Sequence, residues 1–460
     1  MKEYKRSLAN FAFYDSITIT QKLEQMAMEG WMLKETGNFF WTYEKVPPQH
    51  LRFAVTYCAN ASEFDSSPTD AQLTKEEFCA FDGWHLLTRW HTMQIFYTKE
   101  EHAIPIETDP VTQIETIHKA VGRKILLPQC FALFIWFGFL LSKIWNLWTN
   151  TTDVLSSSYD LYIIPVFLFI VLAFAHELIS YFFWHHKAYQ IAQNEGTFYR
   201  VKNRSWISYT FLIFALIFLF LSYCSSPYQF ILFTAWIFVA VSIAFGTKKL
   251  LPILKKKNLS RRTNQMIYVL CVWFVMFFGI VGLSALAIHQ NWFTSSQSIP
   301  IGSYEFDGRT RNIYDDTLPL NIEDLVETEA HYSKQAEYQE TFLLSCAQFS
   351  QRPLLTEPVQ TYRLDYTIYD IKQPILYPFV KDGLLRARQD KVQDDMVLTD
   401  HYEPIDPSIW NANEAYQLHW SDGVLNTYLI CFDHRMVEIQ FFWQPTTEQI
   451  QMAASILINE

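Results

Sequence analysis

The sequence predicts an α+β N-terminal domain, then an all-α bundle of about five transmembrane helices, then a C-terminal α+β extracytoplasmic domain. Three observations carry that prediction. Long apolar runs fill one block between Ile125 and Gln290, the loops inside that block alternate sharply in charge, and both flanks carry the strand-and-turn grammar of soluble protein. A chain of 460 residues, half of them hydrophobic, suggests two to four structural units. The predicted organisation is a cytoplasmic domain at 1–110, a juxtamembrane linker at 111–124, the membrane block at 125–290 and the outer domain at 291–460.

Five segments of the block approach the roughly 20 apolar residues that a bilayer core requires. They are 125–147, 162–184, 207–226, 229–247 and 266–288. Pro227, in the short link after the third, marks a tight turn between antiparallel helices. Loops 149–160 and 225–228 contain no Lys or Arg. Loop 185–204 carries Lys187, Arg200, Lys202 and Arg204, and loop 248–265 carries Lys248, Lys249, Lys255, Lys256, Lys257, Arg261 and Arg262, eleven cations in all. Cations gather on the cytoplasmic side, so the N-terminus is expected inside and the C-terminus outside. Arg123 and Lys124 agree with that orientation. Residues 291–460 hold 26 acidic and 11 basic side chains, an acidic outer domain. No signal peptide is recognisable in the first residues, since the apolar stretch Leu8–Tyr14 is short and broken by Asn10.

In the N-terminal flank, Arg6–Tyr14 reads as a strand. Asp15 or Ser16 caps a helix to about Glu29, Gly30 closes it, and Trp31 opens a strand pair through Tyr43. The same order returns with a helix near Thr74–Phe81, then Gly83-Trp84 and strands ending at Tyr97, with a further strand at Leu51–Tyr57 between the two. This succession suits a ferredoxin-like or split-βαβ sheet. Trp31 and Trp84 read as anchors at helix–strand junctions in preference to a ligand-stacking pair. In the C-terminal flank, Tyr416–Trp420, Val424–Phe432 and Met436–Trp443 form a predicted meander. Thr446 with Gln449 resembles a capping box opening a terminal helix to about Ile458. Upstream, Phe342–Phe349 and Tyr362–Ile371 read as strands and Asn321–Ala330 as a short acidic helix.

A run of structural residues in the first 110 positions resembles a known bacterial family, domain of unknown function 2812. It comprises Phe13-Tyr14-Asp15, the helix from Leu23 into Gly30-Trp31-Met32-Leu33, the aromatics Phe39-Phe40, and Arg52-Phe53-Ala54-Val55. Gly83-Trp84, Ile95-Phe96-Tyr97 and the closing Ile106-Glu107-Thr108-Asp109 complete it. The resemblance implies a bacterial cell-membrane protein in which this domain precedes several spans, often encoded beside PadR-like transcriptional regulators. It brings no catalytic residues.

Candidate chemistry is sparse. His176-Glu177 in the second span begins a zinc-peptidase motif, which needs a second His four residues after the first, where Ser180 stands. An ionisable group inside a span is costly, so His176 and Glu177 remain membrane-embedded polar candidates for proton or ion handling or for a structural contact, the latter favoured. Lys143 reads as snorkelling to the outer boundary. Cys346 and Cys431 both lie in predicted outer strands and are a candidate disulfide, against the favoured reading as small buried hydrophobes. With seven cysteines, no CxxC and no Cys/His cluster, no metal or cofactor is expected. The pairs Asp315-Asp316 and Asp394-Asp395 lack the spacing and glycine of a calcium loop and read as solvated faces. Phosphate-binding glycine motifs are absent, and the basic loop 248–262 lacks the interleaved aromatics of a nucleic-acid surface. The expected partners are the lipid bilayer and a cytoplasmic protein, with no nucleic acid. The leading expectation is a non-enzymatic sensor or regulator linking an external domain to a cytoplasmic one; the alternative is a transporter or an accessory transport subunit.

Overall fold

The computed structural model describes residues 3–459 apart from 10, 38, 39, 200–204, 225, 226, 290–297, 307, 355–361, 388–390, 394, 395, 399, 421 and 422. Phe39, the cations Arg200, Lys202 and Arg204, the pair Asp394-Asp395, the turn residues Ser421-Asp422 and most of the linker before Pro300 therefore lie outside the described residues, as do the side chains of Arg123 and Lys124.

The N-terminal domain is the same βαββ unit made twice. In the first, β1 (Tyr4–Leu8), α1 (Ser16–Met28), β2 (Trp31–Glu35) and β3 (Phe40–Lys45) form a sheet of order β1-β3-β2. In the second, β4 (Arg52–Tyr57), α2 (Asp70–Phe81), β5 (His85–Trp90) and β6 (Met93–Thr98) repeat it as β4-β6-β5. All pairings are antiparallel. The expected ferredoxin-like sheet is therefore replaced by two three-stranded sheets. The reason is local: each strand pair after the helix closes as a hairpin, and its second strand then takes the centre of its own sheet. β1 also ends at Leu8, short of the expected Tyr14, because Phe11, Phe13 and Tyr14 turn inward as packing residues; the Phe11 ring lies 4.7 Å from Trp41.

Helix boundaries follow the caps. Asp15 accepts from the Thr18 amide at 3.1 Å. Thr69 and Gln72 cap each other reciprocally at 3.1 and 3.4 Å, starting α2 four residues before the expected Thr74. Gly30 and Gly83 leave α1 and α2 at φ of +83° and +79°, a left-handed backbone that a Cβ disfavours. A Cβ at Gly30 would also lie 2.9 Å from the Val46 carbonyl oxygen. Trp84 is buried and donates from Nε1 to the Ile104 carbonyl at 2.8 Å, as expected of a junction anchor, while Trp31 is half-buried with Lys5 over its ring.

The predicted linker is helical. Asp109 caps α3 (Pro110–Val121), a π-helical turn at Gly122–Leu126 follows, and α4 (Leu127–Thr149) continues it. After α5 (Thr151–Ser156) come α6 (Ser158–Glu195), α7 (Ser205–Cys224), α8 (Pro227–Lys256) and α9 (Arg261–His289). Five helices are long and apolar enough to cross a membrane: Leu127–Thr149, Ser158–Glu195, Trp206–Cys224, Phe230–Lys256 and Arg261–Leu286. Large side chains such as Phe238, Trp273 and Phe274 point outward from them, a surface suited to lipid as solvent. With 38 residues, α6 is about 57 Å long, well beyond the roughly 30 Å of a hydrocarbon core.

The C-terminal domain opens with a hairpin of β7 (Gly302–Phe306) and β8 (Arg309–Ile313) and a short α10 (Ile322–Leu325). Next come β9 (Tyr332–Glu340), β10 (Leu344–Pro353), β11 (Leu364–Ile371), α11 (Tyr377–Ala387), a small hairpin of β12 (Lys391–Gln393) and β13 (Met396–Leu398), and β14 (Asp400–Ile405). The chain closes with β15 (Glu414–Trp420), β16 (Gly423–Cys431), β17 (Arg435–Phe441) and α12 (Thr447–Asn459). Seven strands form one antiparallel sheet of order β14-β15-β16-β17-β11-β10-β9. The expected meander is β15 to β17, and Thr446 and Gln449 do form the reciprocal cap of α12 at 3.0 and 3.3 Å. One sheet face packs Ile368, Val437 and Ile439 with Trp410 and Leu457. On the other, Leu344, Cys346, Leu429 and Met436 meet Val380 and Leu384 of α11 and Leu155 of α5.

The chain divides into two compact units. One comprises Met1–Phe139, Val166–Phe218 and Ser226–Leu286, and the other Leu140–Pro165, Leu219–Ser225 and Ala287–Glu460. Each folded domain thus packs together with its own stretch of helical chain.

Candidate functional site

α6 carries the expected pair His176-Glu177. Beyond its most apolar stretch, Leu178, Tyr181, Ala188 and Ala192 recur at helical spacing and are all buried, as is Trp184. They belong to the core of the N-terminal domain, where Ile114, Ile117, Ala120 and Val121 of α3 meet them together with α1 and both sheets. The core of this domain is therefore completed by a helix long and apolar enough to cross a membrane, and α6 runs eleven residues past the expected end at 184.

Aromatic and polar groups fix this contact. The Tyr14 ring lies 5.1 Å from Tyr181 and 4.6 Å from Trp184. His118 Nδ1 is 2.8 Å from the Tyr181 hydroxyl, and its ring stands 4.3 Å from that of His185. Burial pushes the Tyr14 hydroxyl well above its ordinary range, and the Glu177 carboxylate is close enough to add to the shift. Glu177 lies one turn before Tyr181 along α6.

His176 has a different neighbourhood. Its Nδ1 is 2.7 Å from the buried Ser208 hydroxyl of α7, and its Nε2 is 3.4 Å from the Ser180 hydroxyl. The Nδ1 contact ties α6 to α7, whereas Nε2 meets a residue of the same helix. Adjacent residues on a helix do not face each other, so His176 and Glu177 make no joint site. Sequence reasoning missed the role of Ala188 and Ala192. The available signal was their small size at one helical spacing, just after the polar run His185-His186-Lys187.

At its other end, the α4–α6 hairpin is keyed into the C-terminal domain. Thr341 Oγ1 donates to the Leu155 carbonyl at 2.6 Å and Ser156 Oγ to Gln339 Oε1 at 3.1 Å. Lys143 pairs with Asp160 at 2.7 Å, where the sequence suggested snorkelling. Cys346 and Cys431 are buried free thiols. They share one row of the sheet with Tyr369 and Met436 between them. Three strand spacings, about 14 Å, exceed the roughly 7 Å reach of a disulfide. The candidate bridge is therefore not formed.

Burial pushes these thiols up, Cys346 to about 12 and Cys431 to about 11, from an ordinary value of 9.0. Below pH 9 both folded and unfolded chains keep the proton and stability is unaffected. Above it only the unfolded chain releases protons, so stability falls as pH rises toward 11 and 12, by at most about 1.4 kcal/mol per pH unit per thiol. The buried Tyr377 and Tyr416 hydroxyls, also raised by burial, act in the same direction. The melting temperature of the C-terminal domain should hold level to pH 9 and drop beyond it. Replacing both cysteines by Ala should make the drop shallower; an unchanged slope contradicts the assignment.

With this geometry in place, comparison with known proteins is informative. Residues 17–129 match the family described as Protein of unknown function (DUF2812). The DUF2812 match takes in α1, both sheets from β2 onward, α3 and the start of α4. It stops short of Tyr181, Trp184, Ala188 and Ala192, so the core that the DUF2812 stretch begins is completed by residues beyond it. No curated protein and no solved structure matches the chain.

Proposed function

We infer that this multi-pass membrane protein is a non-enzymatic sensor or regulator, in which α6 relays the state of an extracytoplasmic C-terminal domain to a cytoplasmic N-terminal domain. One observation carries the reading: a single uninterrupted helix belongs to both compact units, its residues through Pro165 to one and from Val166 to the other. Its first turns follow α5, whose Leu155 is in the C-terminal core, and its last turns supply the N-terminal core. A stiff helix with both ends keyed in this way transmits displacement in place of absorbing it. The loop cations support the orientation, and a cytoplasmic protein partner is the receiver. The continuity of α6 through Pro165 and of α8 through Pro252 counts against a transporter, whose midplane sites are built from broken helices.

Hydrogen exchange on the full chain in nanodiscs tests the relay. Leu155→Ala, at a residue 4% exposed, loosens the C-terminal core and should raise exchange in α1, in α3 and at residues 184–192. Adding Gly-Gly in place of Val171-Leu172 should abolish that distant effect while leaving the local one. An N-terminal domain indifferent to Leu155→Ala refutes the relay. Protease added outside right-side-out vesicles should remove the C-terminal domain; its protection refutes the orientation.

A further inference from the structure

Among the described residues, α5 and α11 cover only part of the sheet face on which they pack. The row Gln339, Cys346, Tyr369, Met436 and Cys431 forms the covered part with its apolar neighbours. The next row along the strands is Glu337, Gln348, Thr367 and Glu438, and the one after is Gln335, Ser350, Asp365, Gln440 and Thr427. These two rows line an open depression of about 300 Å³. An ordinary solvated sheet face satisfies its hydroxyls with water. Here Thr427 is only 2% exposed, lines the depression, and its hydroxyl has no hydrogen-bond partner among the described residues. A buried hydroxyl left unmade costs about 1–3 kcal/mol, which a ligand group would recover.

The chemistry of the face selects the ligand. Its carboxylates are held in place by neighbours: Gln335 donates to Glu337 at 3.0 Å, Tyr402 to Glu438 at 2.9 Å, and Ser350 to Asp365 at 2.6 Å with Arg363 also bonded. Each carboxylate offers about four acceptor positions, so capacity remains after these bonds. Two cations adjoin the face, and each is already bonded there, Arg352 to Ser350 at 3.0 Å and Arg363 to Asp365. Residues 291–460 carry 26 acidic against 11 basic side chains, a field that draws cations in and repels anions. An ammonium group donates only and needs acceptors, which Glu337, Glu438 and the Thr427 oxygen supply. Glu337 and Glu438 end one row three strand spacings apart, about 14 Å, the span of a short aliphatic polyamine. We propose that this half-open face of the seven-stranded sheet is a binding site for a small aliphatic polyamine lying across β9, β10, β11 and β17. Binding here is independent of any relay through α6, because the titration below reads occupancy alone.

The test is isothermal titration of spermidine into the full chain in nanodiscs of zwitterionic lipid. Saturable binding is expected, weakened about tenfold or more by Glu337→Gln and by Glu438→Gln. Gln348→Lys gives a second check, because that exposed position tolerates a new side chain while its ammonium occupies the middle of the row. It should abolish binding with circular dichroism unchanged. No saturable heat with spermidine overturns the proposal, and so does an affinity that the Glu337→Gln/Glu438→Gln pair leaves unaltered. Binding of the neutral disaccharide maltose at the same face, with spermidine inert, overturns the ligand class.

Discussion

Ala188→Asp is expected to release the N-terminal domain from α6, at a cost of about 3–5 kcal/mol, while the span itself stays helical. Ala188 is 1% exposed. It faces a small crevice also lined by Tyr14, Asp15, Ile114, Ile117 and Trp184. Among the described residues that line the crevice there is no cation, and a carboxylate placed there adds like charge beside Asp15. Helix propensity changes by well under 1 kcal/mol, so far-UV circular dichroism should barely move. Hydrogen exchange in α1 and α3 should rise sharply, and lowering the pH below the carboxylate range should restore protection as the new group is neutralised. Ala188→Ser, small and uncharged, should lose far less. Unaltered exchange in Ala188→Asp would show that the domain stands without the helix.

Trp410→Ala should cost the C-terminal domain about 3–5 kcal/mol, the range for deleting a buried tryptophan. Its side chain is 1% exposed, with the Tyr428 ring 5.1 Å away. It ends a short 3₁₀ turn, Pro407–Trp410, which Asp406 caps through the Ser408 amide at 2.9 Å. Residues of β15, β16 and α12 share its core, so its removal leaves a cavity among them. Near-UV circular dichroism and the melting of this domain report the loss. Trp420→Ala, 49% exposed on β15, is the control and should shift the melt little. Equal effects at Trp410 and Trp420 would mean that the core is not organised around Trp410.

What could be read from sequence divides along physical lines. The membrane helices were legible because lipid imposes one stringent demand, a long apolar run with its backbone bonds satisfied internally. The end of α6 was not, because His185, His186 and Lys187 mark the end of an apolar run but not of a helix. The protein core takes over from the lipid at that point, through Ala188 and Ala192. In the N-terminal domain the Gly30-Trp31 and Gly83-Trp84 turns disclosed the repeat, yet strand pairing is decided by which strand closes a hairpin, a non-local outcome. In the C-terminal domain β15 to β17 alternate cleanly, whereas β9 reads YSKQAEYQE, with too few apolar residues to signal a strand. The expected acidic helix at Asn321–Ala330 shrinks to α10 for a related reason, since only Ile322 is buried there. The polar face was invisible in advance. Glu337, Gln348, Thr367 and Glu438 each resemble a solvated side chain, and only the register of four strands sets them in one row.

The buried stripe on α6 has a metric consequence. Leu178, Tyr181, Ala188 and Ala192 present one face to the N-terminal core, and a turn by one residue would bring Lys187 or Tyr189 there instead. The pocket around Ala188 accepts a small side chain, and the next small one along the stripe is Ala192, a single turn or about 5.4 Å away. A one-turn displacement of the helix would therefore set Ala192 where Ala188 now sits. A displacement of less than a turn would instead bring larger side chains such as Lys187 or Tyr189 toward that crevice.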